Sequence, residues 1–421
     1  MPKGFFYLIS AQFASGLADN ALLILGIAFL SEQGYPGWWA PLLKFSFTLS
    51  YVFLAPLMGP LADGFSKAKL MACMNALKVV GVAFVFTNLH PMVAFAIVGM
   101  AAAAYAPAKY GLVTETVPAA DLVKANGWLE VTVVMSVILG TACGGLLVAS
   151  KQFEFMSEFN QGFIANFDLP VNTQYAGPFL SLVLIYAVAA LLNLGIPNLA
   201  IQYIQQSMRP FALFKNFIES NRTLWKDPVG RISLAVTTLF WGIGAVVQFA
   251  VLLWAKEALD MPLEKASLLQ ALVAFGVIFG AGVAGHRVAI HHAFKVLPFG
   301  IWLGLALPAL VFTNTLWVAI PLMLITGFAG GMLMVPMNAL LQNRGYTLLT
   351  AGRSIAVQGF NENASVMLML GIYSSLLAFS IPLQWVMTIM GTVMTLGTIY
   401  LIRMASHKTI STCSAIWLQS K

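Results

Sequence analysis

The stretch Phe5–Leu30, FFYLISAQFASGLADNALLILGIAFL, decides the fold. It is apolar almost throughout and long enough to cross ~30 Å of hydrocarbon as a helix. One carboxylate, Asp19, stands near its middle with Asn20 beside it. Outward from this run the chain keeps the same character: of 421 residues, 60% are hydrophobic and 9% charged, against roughly 25% charged in an ordinary soluble domain. That excludes a soluble globular enzyme, a disordered chain and a nucleic-acid-binding module. The formal net charge of +7 fits basic residues left on the cytoplasmic side of a membrane better than a polyanion partner.

About twelve runs of ~20 residues account for most of the chain. They cover Phe5–Leu30, Phe45–Leu61, Leu70–Phe86, Pro91–Val113, Gly127–Ala149 and Phe179–Ile196 in the first half. In the second half they cover Ile232–Ala255, Ala266–Gly285, Leu297–Phe312, Leu316–Leu341, Ser354–Leu377 and Ile381–Ile402. With the N-terminus inside, one face collects Lys3, Lys67, Lys69, Lys124, Arg209 to Arg231, Arg287, Lys295, Arg344, Arg353 and Arg403, and the other only Lys44, Lys151, Lys256 and Lys265. This bias places both termini in the cytoplasm. The expected organisation is a six-helix bundle over 1–198, a cytoplasmic linker over 199–231, a second six-helix bundle over 232–404 and a cytoplasmic tail over 405–421. An acidic external loop is expected near 151–178. No small-residue cleavage site interrupts the first run, so no cleaved leader is expected.

The two halves echo each other. Asn126-Gly127-Trp128-Leu129-Glu130 opens the fifth run and Gln358-Gly359-Phe360-Asn361-Glu362 the eleventh; amide, glycine, aromatic and glutamate match without a gap. Pro107-Ala108-Lys109 in the fourth run parallels Pro336-Met337-Asn338 in the tenth at nearly the same offset. Duplicated halves suit a transporter that rocks about a site between them, whereas a channel or membrane-bound enzyme has less need of the symmetry.

Charges inside spans cost ~2.5–3.5 kcal/mol each on insertion scales and mark pathways or buried pairs. Asp19 and Lys109 are expected to line a cavity, with a mutual ion pair as the alternative. Lys78 is expected to snorkel along its stem, and Asn75 to make an interhelical hydrogen bond or a ligand contact. Glu130 and Glu362 are expected to gate or to favour helix N-termini through the macrodipole. Cys73, Cys143 and Cys413 give neither a disulfide framework nor metal-ligand spacing. The histidines, His90, His286, His291, His292 and His407, lie near ends or loops. No cofactor or metal is expected.

The loop Gly59-Pro60-Leu61-Ala62-Asp63-Gly64-Phe65-Ser66-Lys67-Ala68-Lys69 resembles the loop signature of the major facilitator superfamily. It departs from the usual pattern at Gly64, where a basic residue is common, and at Ser66, where glycine is common. The resemblance implies that superfamily's all-α fold of twelve transmembrane helices in two bundles. It also gives Asp63 and Lys67 a gating role, closing the cytoplasmic side in the outward-facing state. The second-half counterpart, Gly280 to Arg287, lacks the aspartate.

Within the superfamily, Asp19-Asn20-Ala21-Leu22-Leu23, Ala101 to Tyr105 with Pro107-Ala108-Lys109-Tyr110-Gly111, and Leu122 to Gly127 are similar to the bacterial lysophospholipid transporter family. That resemblance implies movement of lysophosphatidylethanolamine-type lipids from the outer to the inner leaflet of the bacterial inner membrane, by alternating access. A cytoplasmic acyltransferase would then remake the diacyl lipid. No His-x4-Asp acyltransferase signature follows any histidine here, so that enzyme is expected as a separate partner. For such a substrate, Lys109 would bind phosphate as a point charge, Asp19 would accept the ammonium, and Asn20 or Asn75 would add hydrogen bonds. Met332, Met334 and Met337 would offer an adaptable wall for the tail. The rival expectation is a proton-coupled exporter of drugs or small amphiphiles with Asp19 as the proton site.

Overall fold

A computed structural model of the chain describes residues 3–35, 39–84, 90–150, 175–197, 209–261 and 263–405. Among them the regular elements are all helices. The expected acidic loop as far as residue 174, the linker through residue 208 and the tail from residue 406 lie outside the described residues. Two compact units form, one from residues 1–112, 135–217 and 351–356, the other from 113–134, 218–350 and 357–421. Each unit therefore takes in a short segment from the opposite sequence half.

The first unit contains α1 (Lys3–Glu32), α2 (Trp39–Phe53), α3 (Ala55–Gly64), α4 (Lys67–Ala83), most of α5 (Pro91–Thr116), the later part of α6 (Leu122–Ser150) and α7 (Ala176–Leu194). The run expected as one continuous span over Phe45–Leu61 is instead broken, with α2 and α3 bent by 66°. Pro56 is the cause: it lacks an N–H and its ring clashes with the carbonyl four residues back. α7 packs along both α1 and α4. Leu22, Leu25, Phe29, Phe95, Phe179 and Leu182 fill the space among these helices. Phe29 meets Tyr175 and Phe179 edge-on, with ring centroids 5.2 and 6.0 Å apart.

The second unit contains most of α9 to α14, and α8 (Pro210–Lys226) enters it at Ile218. These helices are α9 (Pro228–Leu259), α10 (Leu263–Arg287), α11 (Pro298–Val311), α12 (Leu316–Leu348), α13 (Ala351–Ala378) and α14 (Leu383–Met404). Its tightest pair is α10 with α12. Gly276 and Gly280 on α10 oppose Gly327 and Gly331 on α12, and a Cβ at any of them would strike the other helix's backbone. In hydrocarbon, where apolar burial gives little drive to helix association, such small-residue faces let backbones approach and pack.

Nine helices among the described residues are long and apolar enough to cross a membrane, or ten if α2 and α3 make one bent span. The protein is a multi-pass membrane protein. Two of the expected spans fall outside this set: α4, with 17 residues including Lys67, Lys69, Asn75 and Lys78, and α13, which carries Arg353, Gln358, Asn361, Glu362 and Asn363. Both helices bring polar side chains into the two units.

Candidate functional site

α1 carries Gln12, Ser15 and Asp19 at helical spacings of three, four and seven, which puts them on one face. Across from them, α4 presents Asn75 and Lys78, again three apart. Lys78 donates to both Asp19 carboxylate oxygens, at 2.8 and 2.7 Å, and to Ser15 Oγ at 2.9 Å. Ser15 in turn donates to Asn75 Oδ1 at 2.8 Å. Tyr186 on α7 donates to Asp19 Oδ1 at 2.7 Å. Lys78 also lies 5.5 and 5.4 Å from the ring centroids of Tyr105 and Tyr186, within cation–π range. The side chain of Lys78 is 2% exposed and that of Asp19 21%. Asp19 is thus the open edge of the pair and Lys78 its buried root.

Two expectations are corrected here. Lys78 does not snorkel, because a carboxylate inside the unit gives its ammonium a better partner than the distant interface. Asp19 does not pair with Lys109. Lys109 donates to Gln12 Oε1 at 2.8 Å and sits 4.2 Å from the Tyr110 ring centroid. Gln12 and Asp19 are seven residues apart on α1, so about 10 Å along the helix axis separates the two stations. Asn20 turns away from them and donates to the Gly16 carbonyl at 2.8 Å.

Beside the pair lies a polar patch in which Tyr105 faces Asn75 and Asn193 as its hydrogen-bonding neighbours. Sequence reasoning passed over Ser15, Tyr105, Tyr186 and Asn193.

Asp63, at the end of α3, accepts from the Gly352 backbone N–H at 2.9 Å. It thereby caps the start of α13, where unsatisfied amides and the helix dipole favour a carboxylate. The fit is close: a Cβ on Gly59 would lie 2.9 Å from the Arg353 Cα, and one on Gly352 2.6 Å from Asp63 Oδ1. Lys67 is buried, and its stem crosses Gly111, where an added Cβ would lie 2.9 Å from Lys67 Cε.

The duplicated amides of the second unit both end on α12. Asn126 and Gln342 exchange two hydrogen bonds of 2.9 Å. Gln358 donates to Asn338 Oδ1 at 2.9 Å and to Glu362 Oε1 at 2.8 Å. Glu130 and Glu362 do not open their helices as expected; they stand about two and three turns in, so the macrodipole explains neither. Met332, Met334 and Met337 are buried, in keeping with ordinary packing of α12. At the foot of α9, Asp227 accepts from the Gly230 N–H at 2.8 Å and from Arg344 at 2.6 and 3.0 Å. Burial works to raise the Asp227 carboxyl. The hydrogen bonds and charge of Arg344 and the Gly230 and Val229 amides outweigh it and hold the group below its ordinary range.

Among the described residues the fold is helical, and the ionic and amide networks built into its spans mark a pathway through the membrane or buried pairs within it. Residues 4–357 match the Major Facilitator Superfamily. The lysophospholipid transporter LplT of Yersinia pestis (strain Pestoides F) is 37% identical over 375 residues, covering 89% of this chain and 87% of that one. LplT of Yersinia pseudotuberculosis serotype I (strain IP32953) matches to the same extent. Among solved structures, a bacterial homologue of the iron transporter ferroportin in the outward-facing state gives a TM-score of 0.72 at 14% identity, covering 96% of this chain and 100% of that one. The human organic anion transporter MFSD10 gives 0.72 at 13% identity, covering 95% and 100%. The likeness to these two structures is one of fold. The chain belongs to the lysophospholipid transporter family of the major facilitator superfamily.

Proposed function

We propose that this transporter is a flippase that moves lysophosphatidylethanolamine-type lipids from the outer to the inner leaflet of the bacterial inner membrane by alternating access. A separate cytoplasmic acyltransferase then restores the second chain. Both termini face the cytoplasm in this reading, as the basic residues of the loops suggest. The observation that carries it is the Asp19–Lys78 pair, in a chain 37% identical to a transporter of lysophospholipids.

A zwitterionic headgroup loses its water on entering hydrocarbon, at a cost that only paired polar groups offset. Asp19 offers its exposed edge to the ammonium, and its negative charge is held in place from behind by Lys78, Ser15 and Tyr186. Lys109 on α5, which meets the same α1 face at Gln12 two turns toward the cytoplasmic end, takes the phosphate as the headgroup descends. Asn75, which accepts from Ser15, flanks this route. The Asp63 cap on α13 and the Lys67 stem act as the gate: releasing the cap frees the start of α13 to move. Glu130 and Glu362 serve the same gating step from the α6 and α13 repeats.

The test is uptake of labelled lysophosphatidylethanolamine into proteoliposomes, with and without a pH gradient. Uptake that needs Asp19 and Lys109 but no gradient supports the flippase. Gradient-driven movement of amphiphiles lacking a phosphate would instead support the proton-coupled exporter.

A further inference from the structure

The helix α8 has two apolar edges, and only one of them is covered. Leu213, Ser220 and Leu224 are buried and share one side of the helix at ~100° per residue. On the other side Phe211, Phe214 and Ile218 are 83%, 59% and 50% exposed, within about 60° of arc. The next about 60° of arc holds the exposed side chains of Arg222, Lys215 and Lys226. A stripe of aromatic and branched side chains edged by lysine and arginine is the pattern of a helix lying in the headgroup region of a bilayer. Its charge complements anionic lipid.

The position of α8 is fixed. Only Asp227 separates it from the membrane-spanning α9, and Asp227 is clamped by Arg344 and the Gly230 amide. Trp225 donates to Asn361 Oδ1 at 3.1 Å, and Asn361 donates to Asn221 Oδ1 at 2.9 Å, which ties the helix to α13. A helix pinned where a span begins stays close to the membrane boundary. We propose that α8 is an interfacial anchor: Phe211, Phe214 and Ile218 enter the leaflet at which α9 begins, while Lys215, Arg222 and Lys226 bind the phosphates of anionic lipids.

The test uses the full-length protein with Cys73, Cys143 and Cys413 replaced by serine. Single cysteines at Phe214 and at Glu219 carry a polarity-sensitive dye. The protein is placed in vesicles of phosphatidylcholine alone or mixed with phosphatidylglycerol, and quenching by spin-labelled lipid is compared with quenching by aqueous iodide. The lipid-to-iodide quenching ratio is expected to be several-fold higher at 214 than at 219, and to rise further at 214 with phosphatidylglycerol. The triple variant Lys215→Gln/Arg222→Gln/Lys226→Gln is expected to lose that rise while keeping the higher ratio at 214. Equal ratios at the two positions would overturn the proposal. Protection at 214 that arises only after a cytosolic protein is added would assign the stripe to a protein partner and overturn it equally.

Discussion

Asp19 on α1 and Glu362 on α13 are both carboxylates inside the helical units, each followed by an asparagine whose amide donates to the carbonyl one turn back. Asn20 reaches Gly16 and Asn363 reaches Gly359, both at 2.8 Å. Around that shared pattern the surroundings differ. Asp19 is held by a lysine and a tyrosine. Glu362 is held by the neutral amide of Gln358, with the like charge of Glu130 nearby. A carboxylate tied to its own buried cation leaves a stranded charge behind when it is removed. One tied to neutral groups can be replaced by an amide with little left unmet. The same local motif therefore has two different sensitivities.

The largest expected effect follows from the first case. Asp19→Asn strips Lys78 of its counterion, and Lys78→Met strips Asp19. Breaking a buried pair from one side costs about 3–5 kcal/mol, so each single variant is expected to lower the thermal midpoint of the detergent-purified protein sharply. The double variant Asp19→Asn/Lys78→Met should recover most of that loss yet remain unable to transport. A double variant no more stable than the singles would break the contrast.

Glu362→Gln is expected to change stability by less than about 1.5 kcal/mol, the net worth of a single hydrogen bond. A destabilisation as large as that of Asp19→Asn would show that the two acids are held alike after all. Between these, Asp63→Ala removes one helix cap and is expected to cost about 1 kcal/mol. Its visible effect is a shift of the inward and outward populations, read as altered labelling of cysteines placed on the two sides. Altered headgroup preference with unchanged labelling would contradict the gating role.

The smallest effect is that of Asp227, whose partner Arg344 lies in the last turns of α12. Its folded-state value lies below the ordinary 3.8. The stability it contributes is therefore fully present above that value and is lost as the pH falls through the lower folded one. Arg344→Gln should flatten this acid limb of the thermal midpoint, and an unchanged acid limb would remove Asp227 from the account.

Much of this architecture is legible in the sequence because it rests on local patterns. Apolar runs of spanning length, the Asn126–Glu130 and Gln358–Glu362 echo, and the Asp63 loop need no knowledge of neighbours. The partner of Asp19 is less legible, because it depends on which helix lies opposite. Depth held the missing signal: Asp19 and Lys78 both stand near the middle of their apolar runs, Phe5–Leu30 and Leu70–Phe86, while Lys109 lies toward the end of Pro91–Val113. Asn75 three residues before Lys78 also marks an inward polar face, at odds with snorkelling. The break at Leu54 was announced by Pro56 but hidden by the uniform hydropathy around it. The Asp227–Arg344 clamp joins residues 117 apart, and no pattern along the chain connects them.

The central claim is that the Asp19–Lys78 pair serves the headgroup's passage, and uptake of labelled lysophosphatidylethanolamine by proteoliposomes tests it most directly. Wild type, Lys78→Met and the Asp19→Asn/Lys78→Met double variant are compared at equal amounts of folded protein. The account predicts uptake by the wild type and background values for both variants. Wild-type uptake by the stable double variant would contradict it.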